Sequence, residues 1–247
     1  MRRFHCLELG VGPVPEGAVP ERETRHLRKV LRAVEGTRVL LMDGAGGIGE
    51  AVVASGGVLF VKKTERYPRP SVRLHLFVAP PSSKSALDHM LRQCAEVGAW
   101  SVDFMLTERS VARLSGENAF ERARLHLIEG CKQSGNPWFP RLGGETLPFD
   151  DAIAKAAALD MAFFGSTRGG DAESAASSNL PDGSRDLDVA WMVGPEGGFS
   201  PDEEERLSAA GVEPLSLGSW TLRVETAAVL GCHVFLSRRP KRVCVNV

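Results

Sequence analysis

The sequence predicts an α/β protein in two parts: a small β-barrel in front and a larger module built on a mainly parallel sheet behind it. Three observations carry this. Three short β-like runs follow one another closely between Thr37 and Lys63, separated by the turn signals Asp43-Gly44-Ala45-Gly46-Gly47 and Ser55-Gly56-Gly57. From Val72 onward, strand-like runs alternate with helical patterns, the pattern of a sheet whose strands run parallel. Tyr67-Pro68-Arg69-Pro70 reads as the linker, so the domains are expected at 1–70 and 71–247.

The totals fit a soluble globular chain. At 247 residues roughly 70% of the unfolded surface can be buried, so no covalent staples are needed. The composition is 43% hydrophobic and 25% charged, which excludes a disordered or fibrous chain. Net charge is −1, but residues 1–73 hold thirteen basic and eight acidic side chains, leaving −6 on the remainder. A basic front beside a mildly acidic body points to a polyanion partner such as nucleic acid, or to an uneven solvated surface. The five cysteines are widely spaced without a CxxC pair, so neither a disulfide framework nor a metal site is expected. Cys94, Cys131 and Cys232 sit in apolar helical patterns and read as buried small hydrophobes. No signal peptide and no membrane span is expected, and a cytoplasmic location fits.

In chain order, residues 3–9 alternate like a strand, and Gly10 to Pro20 reads as a loop. Glu21 to Ala33 places Leu27, Val30 and Leu31 at helical spacing amid Arg25, His26, Arg28, Lys29 and Arg32, predicting a short basic helix stopped at Gly36. The β-like runs are Thr37–Met42, Gly49–Ala54 and Gly57–Lys63. The second module opens with a strand over Val72–Ala79. A helix follows from Lys84 to Gly98, with Ser82 or Ser83 as cap. A strand over Trp100–Leu106, a helix over Asn118–Lys132, a helix over Phe149–Ala158 and a strand over Met161–Phe164 come next. Asp171 to Asp186, rich in Ser, Ala, Asp and Gly, predicts a mobile loop. Leu187–Val193 is strand-like, and Pro201–Ala210 is helical, with Ser200 as cap and Asp202, Glu203 and Glu204 favoured by the dipole in the first turn. A strand over Val212–Leu217 and a helix over Val224–Ser237 close the module. The tail from Arg238 reads as a short edge strand or as disorder.

In an open α/β sheet, ligands sit at the carboxyl ends of the strands. Three glycine-bearing segments lie there: 165–170, 194–200 and 217–223. Glycine lets a ligand approach the backbone closely. None matches GxGxxG or a Walker loop, which excludes an ordinary dinucleotide or P-loop site. A lone glycine loop is usually only a turn; two that each follow a strand, close in sequence, point to a ligand.

The motifs go further. Gly194-Pro195-Glu196-Gly197-Gly198-Phe199-Ser200, followed by Leu217-Gly218, Leu222-Arg223 and Glu225-Thr226-Ala227, resembles the RsmE family of ribosomal RNA methyltransferases in the SPOUT superfamily. Arg25-His26-Leu27 with Val30-Leu31-Arg32, Glu96-Val97-Gly98, Thr107-Glu108-Arg109-Ser110, and Glu129 to Gly135 resemble further motifs of that family. The resemblance implies an N-terminal PUA-like β-barrel that helps hold RNA, and a C-terminal SPOUT domain with a deep trefoil knot over about 190–235, an exception to ordinary threading. It implies a homodimer that uses S-adenosylmethionine to methylate N3 of one uridine in the 16S ribosomal RNA of the small subunit. Related readings are methylation of another base or of a ribose 2′-hydroxyl, or a catalytically silent RNA-binding homologue.

On that resemblance the cofactor would be held by Gly165, Gly194, Pro195, Glu196, Gly197, Gly198, Leu217, Gly218, Ser219, Thr221 and Leu222, largely through backbone groups. Glu196 is the candidate carboxylate for the positive sulfonium, or an ordinary loop acid. Arg223 is the candidate cation for the anionic uracil formed when N3 loses its proton. Glu225 is read as an anchor or cap of the last helix, with Thr226 as the stronger cap partner. Arg25, Arg28, Lys29, Arg32 and Arg109 are candidates for RNA phosphates, against a solvated helix face and, for Arg109, an internal ion pair. Trp220 and Asn136 stand where the family has arginines. Trp220 is suited to stacking on a base or filling an interface, and Arg141 and Arg168 are the candidate replacement charges.

Overall fold

In a computed structural model the described residues are 1–27, 34–171, 186–237 and 245–246. The chain divides into one unit of Met1–Arg69, Cys131–Phe139 and Lys241–Val247, and a second of Pro70–Gly130 and Pro140–Pro240.

The first unit is built on β1 (Arg2–His5), β2 (Gly12–Pro13), α1 (Glu21–Arg25), β3 (Arg38–Met42), β4 (Gly47–Val53) and β5 (Leu59–Arg66), with β13 (Val245–Asn246) from the tail. The sheet order is β1-β3-β4-β5-β13, with β2 also on β5; β1 runs parallel to β3, and the other pairs are antiparallel. The expected turn between β3 and β4 forms around Asp43, whose Oδ1 accepts from the amides of Ala45 (2.7 Å) and Gly47 (2.8 Å). Gly44 and Gly46 there have φ of 71° and 96°, which glycine adopts without steric cost. Alternating side chains bury Phe4, Val39, Leu41, Ala51, Val53 and Val61 in one core, with Leu27 packed into it. The first strand stops at His5, short of the expected residue 9, because the Leu7 amide bonds to Ala18 in the following loop instead of continuing the ladder. Of the expected basic helix, Glu21–Arg25 is α-helical, and residues 28–33 lie outside the described residues.

The second unit contains β6 (Val72–Val78), α2 (Lys84–Val97), β7 (Ser101–Leu106), α3 (Glu117–Ser134, its last turn grouped with the first unit), β8 (Arg141–Leu142), β9 (Leu147–Pro148), α4 (Phe149–Ala157), β10 (Met161–Asp171), β11 (Leu187–Val193), α5 (Pro201–Ala209), β12 (Glu213–Ser216) and α6 (Val224–Leu236). Its sheet runs β12-β10-β11-β6-β7-β8, with β9 also on β7, and every pairing is parallel. The central β6 and β11 are buried along most of their length, with the polar Arg73, His75 and Asp188 toward their amino ends. Residues of α4 and α5 join one core with Phe77, Met105, Phe164 and Met192, while α6 packs against α2, β6 and β11. Trp191 is fully buried beneath α6, its Nε1 donating to the Ala227 carbonyl at 3.1 Å. Helix and strand meet closely there: a Cβ on Gly231 would fall 2.1 Å from that nitrogen.

Ser83 and Ser200 cap α2 and α5 as the sequence predicts, and Gly98 ends α2 in the left-handed region. Two expectations are corrected. β10 does not end at Phe164: Gly165 and Gly170 both pair with Leu215, so 166–169 form an excursion within a strand that runs on to Asp171. At α6 neither Glu225 nor Thr226 is the cap; Arg223 occupies that position, with no side-chain capping bond. The predicted mobile loop, at 172–185, lies outside the described residues.

At the amino ends of the strands, Arg73 is buried and makes a bidentate pair with Asp188 (2.7 and 2.6 Å) and a bond to Asp186 (2.8 Å). His75 Nε2 meets Asp188 Oδ1 at 2.8 Å, and its Nδ1 meets Ser101 Oγ at 2.8 Å. The hydrogen bonds from Arg73, aided by His75, hold the Asp188 carboxyl well below the usual carboxylate range. A group depressed in the folded state contributes stability above its unfolded pKa and loses it as pH falls. Asp188→Asn, which leaves a buried guanidinium short of charge, is expected to cost about 3 kcal/mol at neutral pH. The difference from the parent should shrink below about pH 4, where the unfolded aspartate begins to protonate. Urea unfolding across pH reads this, and equal midpoints at neutral pH would remove the network from the stability of the sheet.

Candidate active site

The parallel sheet brings the carboxyl-terminal parts of β10, β11 and β12 to one edge; β11 and β12 lead into glycine-bearing segments, and β10 carries Gly165, Gly169 and Gly170 within the strand. After β11, Gly194–Ser200 folds back on itself, with the Gly198 amide donating to the Pro195 carbonyl at 2.8 Å and Gly198 at φ 67°. Phe199 anchors this loop, its ring 5.8 Å from both Phe149 and Phe164. Ser200 and Glu203 then form a capping box that starts α5. After β12, Ser216 Oγ donates to the Gly218 carbonyl (2.9 Å) and accepts from its amide (3.3 Å), while Gly218 adopts φ 141°.

These segments enclose a cavity of about 330 Å³, within the size range of small-molecule sites. Gly165, Gly194, Pro195, Glu196, Gly197, Gly198, Leu217, Gly218, Thr221 and Leu222 line it. Ser219 and Arg223 are not among the lining residues, although both belong to the same segment. Ser166, Thr167, Glu204 and Trp220 line it without having been singled out as cofactor contacts. Ser166 and Thr167 come with the β10 excursion, whose shape depends on a non-local pairing. Glu204 is explained by the helix dipole alone until α5 is seen to start at the cavity wall; its Oε1 accepts from Ser166 Oγ at 3.4 Å. Trp220 is 83% exposed.

Glu196 is held in place. Its Oε1 accepts from the Ser82 amide (2.8 Å) and hydroxyl (2.7 Å). The Ser82 amide, with the hydroxyl adding to it, keeps its carboxyl below the ordinary value, so it is ionised at neutral pH. Arg109 lies in the turn after β7, where Ser110 Oγ accepts from the Thr107 amide at 3.0 Å. Its Nη1 donates to the carbonyls of Gly197 (2.9 Å) and Phe199 (3.3 Å). Arg25 pairs with Glu21 on an exposed surface at 2.8 Å, while Arg28, Lys29 and Arg32 lie outside the described residues. The Arg141 guanidinium stacks 5.6 Å from the Trp100 ring centre, so it does not serve the cavity; the Arg168 side chain is not described. In the Glu129–Gly135 motif, Glu129 accepts from Arg92 and meets His126, joining α2 to α3. Asn136 Oδ1 accepts from the Trp138 amide at 3.1 Å.

A family model described as an RNA methyltransferase domain matches residues 68–236, more than half of the chain. The chain belongs to this RNA methyltransferase family. A second model, an RNA methyltransferase PUA domain, matches residues 19–60. The chain is 29% identical over 212 residues to ribosomal RNA small subunit methyltransferase E of Synechocystis, covering 83% of this chain and 67% of that one. It is 28% identical over 218 residues to the protein of that name from Mycobacterium bovis, covering 83% and 80%. The crystal structure of ribosomal RNA small subunit methyltransferase E of Neisseria gonorrhoeae, solved with S-adenosyl methionine, superposes with a TM-score of 0.82 at 24% identity, over 96% of this chain and 97% of that one. That likeness establishes the shared fold, and the relatives bear out the RsmE resemblance read from the motifs. Among the described residues no helix is long and apolar enough to cross a membrane.

Proposed function

We propose that this methyltransferase binds S-adenosylmethionine in the glycine-loop cavity and methylates N3 of a uridine in 16S ribosomal RNA. The carrying observation is the charge of the cavity wall. Among the described residues the charged side chains that line it are Glu196 and Glu204, and no lysine, arginine or histidine is a lining residue. The amino end of α5 would otherwise attract an anion, but its capping box is closed and Asp202, Glu203 and Glu204 occupy its first turn. A nucleotide phosphate is therefore disfavoured, and a cation such as a sulfonium is suited to the site. Glycine-rich backbone segments leave amides and carbonyls within reach of an adenine.

When bound, the cofactor supplies an electrophilic methyl group. The chain's own part is to hold a carboxylate, Glu196, toward positive charge, to shape the backbone cradle, and to stabilise the uracil as N3 loses its proton. Arg223, at the start of α6 beside the cavity loops, is proposed for that last role. Arg25, Arg28, Lys29 and Arg32 are proposed as phosphate contacts on a PUA-like barrel at 1–70, with the catalytic SPOUT domain at 71–247. The proposal includes a trefoil knot over about 190–235, which an experimental chain trace without threading would remove. A ribosomal RNA substrate implies a cytoplasmic location.

Three outcomes test this reading. Mass spectrometry of 16S ribosomal RNA from cells with and without the gene should lose N3-methyluridine in its absence, and persistence of the modification would overturn the activity. Gly197→Val should abolish S-adenosylmethionine binding in calorimetry while leaving the melting temperature near that of the parent. Gly197 lines the cavity outside the left-handed region, and a Cβ there meets the Arg109 side chain at 3.4 Å, ordinary van der Waals contact, so the backbone accepts a side chain while the wall of the cavity changes shape. A homodimer is supported by the exposed Trp220 and by Leu230, 40% exposed on α6; sedimentation at micromolar concentration should give twice the chain mass, and a monomer would remove it.

A further inference from the structure

We infer that Arg109 is a positioning residue for the cofactor loop: it sets the peptide planes of Gly194–Ser200 instead of contacting RNA phosphate. The inference rests on the cofactor reading of the cavity. Four groups define the geometry. The Gly197 carbonyl accepts from Arg109 Nη1 at 2.9 Å, while the other end of the same peptide unit, the Gly198 amide, donates to Pro195 at 2.8 Å. The Phe199 carbonyl accepts from Arg109 Nη1 at 3.3 Å, while its partner amide, Ser200, donates to Glu203 Oε2 at 2.9 Å. Two peptide units of the loop are thus fixed at both ends.

The Arg109 turn is itself held. The second oxygen of Glu203 accepts from the Glu108 amide at 2.8 Å, and Glu203 is only 3% exposed. One buried carboxylate therefore ties the residue before Arg109 to the residue ending the glycine loop. The aliphatic stem of Arg109 also lies against Gly197, where a Cβ would meet Arg109 Cβ and Cδ at 3.4 Å. The planar guanidinium fixes the directions of its N–H groups together, so the two carbonyls are held with less loss of rotamer freedom than on a flexible ammonium. A cavity that recognises its ligand by backbone groups depends on such peptide orientation, because a rotated peptide unit swaps an acceptor for a donor at the wall.

The test compares the parent with Arg109→Met, which keeps an apolar stem and loses both bonds, and with Arg109→Lys. Arg109→Met should weaken S-adenosylmethionine binding at least tenfold and raise the KM for the cofactor, with the KM for RNA and the salt dependence of RNA binding unchanged. Arg109→Lys should recover part of the loss. Amide hydrogen exchange of the ligand-free protein should accelerate over 194–200 in Arg109→Met. Unchanged cofactor affinity, or a salt slope lowered by about one, the signature of a lost phosphate contact, overturns the inference. If the parent itself binds no S-adenosylmethionine, the cofactor reading fails; exchange over 194–200 then still decides the positioning role, since unaltered protection in Arg109→Met would end it. Should Arg109→Met not fold, Arg109→Lys carries the same readouts.

Discussion

The buried Glu203 carboxylate is the interaction on which the glycine-loop edge of the sheet depends. Its two oxygens take the amides of Ser200 and Glu108, 95 residues from Glu203 in the chain in the second case. Backbone amides buried without a partner are costly. A single side chain therefore satisfies the start of α5 and the turn after β7 together. Because it caps the helix from within, the amino end of α5 presents the Glu204 carboxylate to the cavity where an uncapped helix would present free N–H groups. The local rule that starts a helix and the electrostatic character of the site have the same cause.

The two ends of the parallel sheet are charged in contrasting ways. At the amino ends, Arg73 is neutralised by Asp186 and Asp188, and His75 completes the network, so charge there is consumed internally. At the carboxyl ends, Glu196 has its Oε1 engaged by neutral Ser82 donors, which leave the negative charge uncompensated by any cation among the described lining residues. Hydrogen bonds from neutral groups favour the ionised carboxylate without cancelling its field. The first arrangement is suited to holding strands, and the second to meeting a positively charged ligand.

What was legible in the sequence was whatever local chemistry determines. Ser200 with Pro201 and Glu203 announces the start of α5, because a capping box needs only four neighbouring residues. The alternation of strand-like and helical runs from Val72 onward announces the parallel sheet from local patterns as well. The paired glycine loops led to nine of the residues that line the cavity, since a strand end followed by glycine is a local pattern too. What was not legible depends on partners far along the chain. The continuation of β10 to Asp171 rests on its pairing with Leu215 and Ser216, and its glycines carry no side-chain signal of strand. The bonds from Arg109 to Gly197 and Phe199, and from Ser82 to Glu196, span 88 to 114 residues. A polar residue in a turn does not reveal which distant backbone group it will meet.

The same distinction bears on Trp220, at the rim of the cavity. A cradle made of backbone groups constrains φ, ψ and residue size at Gly194, Gly198 and Gly218, but places little demand on a side chain pointing to solvent. Gly194 is tightly enclosed, since a Cβ there would lie 3.2 Å from Phe199, and Gly198 and Gly218 hold positive φ. Trp220 lines the same cavity yet is almost wholly exposed. A side chain exchanged at such a position alters the rim while leaving the cradle's backbone geometry intact. Substitution at the exposed rim leaves the loop unchanged, whereas the glycines, Glu203 and Arg109 are where substitution reaches its backbone.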